Sequence, residues 1–127
     1  MTYWGAGLFA AGVAWVTNRF VVKFLGERAI IWLIPWLEEF FKTGIAVFSG
    51  ASILLTHGVF GTIEAIYDYT VSPRWGIWAG LLSMGSHWLY GVVTVLVTQQ
   101  TSSWLGGILS AGFLHVLWNY AMSVREV

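Results

Sequence analysis

Once loop and terminal charges are set aside, eight side chains able to move a proton or hold a developing charge stand within apolar stretches of this sequence: Glu38, Glu39, Lys42, His57, Glu64, His87, His115 and Asn119. On a helix, Glu38 and Lys42 stand i,i+4 and can pair. The adjacent Glu38 and Glu39 point about 100° apart. One carboxylate can then face a cavity while the other faces Lys42 or a neighbouring helix. A carboxylate kept ionised by a lysine is a general base able to activate water, and a nearby imidazole can share or relay the proton. His115 and Asn119 are again i,i+4 and share a helical face. An imidazole beside a side-chain amide can donate hydrogen bonds to an oxyanion. His57, Phe60 and Glu64, with Asp68 beyond, follow one stripe of a further helix. Among these, His57 reads as a structural core histidine.

Such groups need elements that hold them in apolar surroundings. Hydrophobic residues make up 57% of the 127 and charged residues only 9%, against about 25% charged in soluble domains. Mean hydropathy is +0.73, and nine Trp accompany eight Phe and five Tyr. A soluble domain of this size could not bury so much apolar surface, so an all-α, polytopic helical membrane protein is expected. A span takes roughly 20 mostly apolar residues, and five windows qualify, at roughly 4–22, 29–49, 51–70, 75–97 and 103–123. Turn signals at Ser49–Gly50, Pro73 and Ser102–Ser103 separate the later windows. Gly76 with Gly80, and Ala6 with Ala10, have the small-xxx-small spacing of close helix contacts. The N-terminus lacks the positive charge of a cleavable signal, so the first segment is expected to stay.

Charge placement supports five spans. Arg19, Lys23 and Arg28 fall towards the first loop, Arg74 in the third and Arg125 at the C-terminus, all on one side. The opposite side has no Lys or Arg. Positive-inside bias then predicts an external N-terminus and a cytoplasmic C-terminus. Trp4, Trp75 and Trp104 are expected as interfacial anchors. At about 1.5 Å per residue, Glu38, Glu39, His87 and His115 reach similar depths near mid-membrane. Glu64 lies somewhat to the cytoplasmic side. A charge there costs about 2.5–3.5 kcal/mol, and ionisable residues inside spans are functional by default.

Four patterns in order carry a resemblance. Glu38-Glu39-Phe40-Phe41-Lys42 reads as EExxK and Phe60-Gly61-Thr62-Ile63-Glu64 as FxxxE. His87 is an isolated third-motif histidine, and His115-Val116-Leu117-Trp118-Asn119 reads as HxxxN. This set resembles the PrsW branch of the CPBP intramembrane glutamate protease superfamily, whose relatives include the type II CAAX prenyl endopeptidases. The resemblance covers residues 35–120 as a four-helix catalytic core within a single membrane domain, 1–127. Residues 1–28 would be an additional N-terminal helix and basic loop. It implies an endopeptidase that cleaves a membrane-spanning protein substrate with glutamate- and histidine-activated water. By that resemblance Glu38 is the leading base, with Glu39 orienting or sharing its role. His87 and His115 are polarising or proton-transfer groups, and Asn119 completes the oxyanion site. Lys42, Glu64 and Phe60 support them. Glu64 stands where the CAAX branch has histidine, which favours PrsW and speaks against a prenylated substrate. It is followed by Ala65, where PrsW proteins often have Asn.

Other chemistries are narrowed by composition. With no cysteine, disulfides, zinc fingers and thiol catalysis are excluded. Zero net charge gives no basic patch for nucleic acid. Two His and two or three Glu at one depth could ligate zinc. No HExxH pair exists, however, and Lys42 would repel a cation, so a cofactor-free glutamate mechanism is preferred. The same polar core is also compatible with a noncatalytic membrane scaffold. A proton or metal-ion conduit is less favoured, because no inverted repeat is visible.

Overall fold

A computed structural model describes residues 1–72 and 74–125, with Arg125 through its backbone alone. Pro73 lies outside the described residues, as does the side chain of Arg125 that was assigned to the cytoplasmic side. All regular structure among the described residues is helical. The helices are α1 (Tyr3–Leu25), α2 (Ala29–Trp32), α3 (Ile34–Ser49), α4 (Ile53–Val71), α5 (Gly76–Thr101) and α6 (Trp104–Arg125).

Local chemistry sets the boundaries. Thr2 caps α1 by accepting from Gly5 N (3.2 Å), and Gly26 ends it at φ 81°. The helix therefore runs on through Arg19 and Lys23, which were expected in a loop. The second window contains two helices rather than one. Pro35, in the first turn of α3, has no N–H with which to carry the hydrogen-bond ladder of α2 onward, and the chain turns at Leu33. At the other end of α3, Gly50 takes the left-handed conformation (φ 69°) and its N–H donates to the carbonyls of Ala46 and Val47. Ser52 then caps α4 through Leu55 N, at 3.4 Å.

The long helices alternate in direction. The Met1 amino group donates to the Ser49 carbonyl (3.1 Å), which places the start of α1 beside the end of α3. Phe48 and Trp104 meet edge to face at 5.7 Å, joining that same end of α3 to the start of α6. At the opposite end α1, α4 and α6 finish and α5 begins, so Arg19, Lys23 and Arg74 lie towards one end of the bundle. Helices α4 and α5 make the closest pair. A Cβ on Gly61 would lie 2.6 Å from His87 Cβ, and one on Gly91 would lie 2.9 Å from His57 Cβ. Small residues thus admit the two histidines between backbones. Gly76 and Gly80 serve the same pair, against the carbonyls of Tyr69 and Ala65. Ala6, Ala10, Ala11 and Ala14 form the buried stripe by which α1 joins the bundle.

The distribution of polarity is inverted relative to a water-soluble bundle. Glu39, Lys42 and His57 are fully buried, and Glu38, His87 and His115 nearly so. Phe24, Phe48, Ile77, Leu109 and Phe113 are all exposed. Helices α1 and α5 are long and apolar enough to cross a membrane.

Candidate active site

The interior charges assemble around Lys42. Its Nζ donates to Glu39 Oε1 (2.6 Å) and to His87 Nδ1 (2.8 Å), and lies 4.6 Å above the Phe60 ring. The lysine pairs with Glu39 at i,i+3, where the spacing had offered Glu38 at i,i+4. The 100° between neighbouring positions separates the two carboxylates as expected. Glu39 turns into the core, and Glu38 turns into a cavity.

Hydrogen-bond chemistry fixes the histidines. An ammonium has donors only, so His87 Nδ1 accepts and its proton resides on Nε2, which donates to Glu64 Oε2. Glu39, held ionic by Lys42, accepts from His115 Nδ1 at 2.9 Å. In the neutral imidazole this leaves the lone pair on Nε2, which lies 3.8 Å from Glu38 Oε2. Tyr90 stacks on the His115 ring, 4.6 Å between centroids, and meets His87 edge-on at 5.5 Å. These contacts hold both imidazole planes. Glu38 Oε1 accepts from Asn18 Nδ2 at 2.6 Å.

Two arms therefore leave the Lys42–Glu39 pair and end on separate carboxylates. One runs through His115 to Glu38 and the other through His87 to Glu64. Both ends line a cavity of about 1170 Å³ that reaches the end of the bundle where α1, α4 and α6 finish. Arg19, Lys23 and Asp68 lie along its walls.

No protein-family model matches this chain, and no curated protein or solved structure matches it either. The chemistry of the site therefore rests on its own geometry.

Ligand atoms of Glu38, His87 and His115 lie within 4.8 Å of one another, a spacing that could hold a metal ion. The proton arrangement opposes that use at His87. Its Nε2 carries the hydrogen bonded to Glu64, and ligation there would need the tautomer that turns an N–H against the Lys42 ammonium.

Glu38, Glu39, Lys42, Phe60, Glu64, His87 and His115 come together. Asn119 also lines the cavity, but its Nδ2 donates to the Ile30 carbonyl (3.0 Å), tying α6 to α2. His57, read from sequence as structural, joins the cluster from the core side. Its Nδ1 lies 3.7 Å from Glu39 Oε2, and its Nε2 lies 3.1 Å from Thr43 Oγ1. The signal was its place on the stripe with Phe60 and Glu64. Sequence reasoning missed Asn18 and Tyr90. Tyr90 had no polar periodicity to mark it, and Asn18 sits on a helix outside the region that carries the four motifs.

Proposed function

We propose that this protein is a multi-pass membrane endopeptidase of the PrsW kind, cleaving a peptide bond in a membrane-spanning protein substrate. The observation that carries the reading is the pair formed by Glu38 Oε2 and His115 Nε2. With the imidazole neutral and the carboxylate ionised, two proton acceptors face each other 3.8 Å apart at the inner end of a cavity. One further proton, or a water molecule donating to both, satisfies this arrangement.

A water held there loses a proton to the pair as its oxygen attacks the substrate carbonyl carbon. The tetrahedral intermediate collapses with cleavage of the C–N bond, and the captured proton passes to the leaving amine. Glu39 keeps the His115 lone pair directed at Glu38, a positioning role that its own burial and ion pair suit. The exposed apolar exterior and the ionic interior support immersion of the bundle in a bilayer. The end carrying Arg19, Lys23 and Arg74 would face the cytoplasm, with the N-terminus outside. The cavity then opens to the cytoplasmic side.

Cleavage of a fluorogenic membrane peptide by purified protein tests the proposal. Glu38→Gln should lower the rate by about 10²-fold or more while leaving the thermal midpoint in detergent nearly unchanged, and His115→Ala should lower the rate as far in a protein that still folds. Equal rates for both variants and the parent chain would overturn the assignment.

A further inference from the structure

The oxyanion of a tetrahedral intermediate needs a donor beside the attacking water, and sequence reasoning gave that role to Asn119. In the folded chain the Asn119 amide nitrogen donates one hydrogen to the Ile30 carbonyl on α2, so its hydrogen bond does not tie it to the reacting carboxylate. The side-chain amide that meets the reacting carboxylate comes instead from α1, whose residues precede the region with the four motifs. Asn18 Nδ2 lies 2.6 Å from Glu38 Oε1 and lines the same cavity. The orientation of the amide is fixed chemically, because a carboxylate accepts and only the nitrogen can donate. That nitrogen carries two hydrogens, and Glu38 takes one of them.

We propose that Asn18 is a catalytic residue of this site, its second amide hydrogen stabilising the substrate carbonyl oxygen as that atom becomes an oxyanion. The inference rests on the peptidase reading and adds to it that α1 completes the active site. Glu38 Oε1 anchors the amide while Glu38 Oε2 faces His115, so one carboxylate aligns both donor and base. In the reaction no proton leaves Asn18. The carbonyl π electrons move onto oxygen as the water oxygen bonds to carbon, and they return when the C–N bond breaks. Asn18 stands one turn beyond Ala14, the last of the buried alanines Ala6, Ala10, Ala11 and Ala14 by which α1 packs on the bundle, and its amide is held by Glu38. A donor preorganised in this way does not have to be reoriented as the charge develops.

The test uses the full chain in proteoliposomes with a fluorogenic membrane peptide, comparing Asn18→Ala, Asn18→Gln and Asn119→Ala with the parent. Loss of one oxyanion donor lowers kcat by about 10²–10³-fold, so Asn18→Ala should fall by that amount. Its KM should stay within about threefold, because the ground-state carbonyl binds the donor weakly. Asn18→Gln, which keeps an amide on a longer arm, should recover part of the loss. Asn119→Ala should lower the thermal midpoint, as expected of a tie between α6 and α2, and lose less kcat than Asn18→Ala. If Asn18→Ala does not hold its fold, Asn18→Leu repeats the measurement with the side-chain volume retained.

A parent-like kcat in a folded Asn18 variant overturns this inference and leaves the peptidase reading standing. So does a loss of kcat confined to Asn119→Ala. Cleavage that is indistinguishable between the parent and Glu38→Gln overturns the peptidase reading, and Asn18 loses its role with it.

Discussion

His115 Nδ1 donates to Glu39 Oε1 at 2.9 Å across 76 residues of sequence, and this contact decides which face of the imidazole is basic. With the proton committed to Nδ1, the Nε2 lone pair turns towards Glu38. The two adjacent glutamates are thereby given different tasks. Glu39 orients a histidine from inside the core, and Glu38 meets what enters the cavity.

The Lys42–Glu39 pair is buried without solvent contact at either side chain. Removing one partner of such a pair leaves an uncompensated charge and costs about 3–5 kcal/mol. Lys42→Met should therefore unfold far below the parent in detergent. Combining it with Glu39→Gln should recover part of the loss, measured as a coupling energy in a double-mutant cycle. Additive losses would show that the pair is not one energetic unit.

The α4–α5 crossing makes a second expectation. Gly61→Val places branched carbons where a Cβ already lies 2.6 Å from His87 Cβ. Overpacking of this kind costs about 1–3 kcal/mol, and it displaces the imidazole from Lys42 and Glu64. Gly85→Ala on α5 meets no atom within 4 Å and should be neutral or stabilising, by up to about 1 kcal/mol. The thermal midpoint of Gly61→Val should fall while that of Gly85→Ala holds or rises, and matching falls would contradict the packing account.

Metal dependence is a third point of decision. Because Lys42 fixes the His87 tautomer that protonates Nε2, the proposed peptidase should turn over at an unchanged rate after chelation. Purified protein should contain only substoichiometric zinc by elemental analysis. One zinc per chain, lost in Glu38→Gln along with activity, would assign Glu38, His87 and His115 to a metal centre instead.

Orientation in the membrane can be read directly, since the chain has no native cysteine. A membrane-impermeant maleimide added to intact cells should label Ser103→Cys, at the end of the bundle away from the basic residues. Ser72→Cys should react only after permeabilisation. The reverse pattern would invert the proposed topology.

The helical class was legible in the sequence, as was the turn at Ser49–Gly50, because caps and glycines act locally. Thr2, Gly50 and Ser52 terminate or start helices through contacts within a few residues. The 100° offset between Glu38 and Glu39 was equally local, so their opposite orientations could be anticipated. Where the groups on those faces found partners was not local. Lys42 lies within helical reach of both glutamates, and only the packing of α5 and α6 brings His87 to its ammonium and His115 to Glu39. Asn18 and Asn119 differ in the same way. Periodicity attached Asn119 to His115 on one face, yet the nearest acceptor in the folded chain is a carbonyl of α2. Asn18 reaches Glu38 only because a stripe of alanines lets α1 approach the bundle closely. By itself the sequence determined which chemical groups are present and the helical face each one occupies. The tertiary structure decided which of them meet, because a hydrogen bond needs donor and acceptor within about 3 Å and these groups stand on helices far apart in the chain.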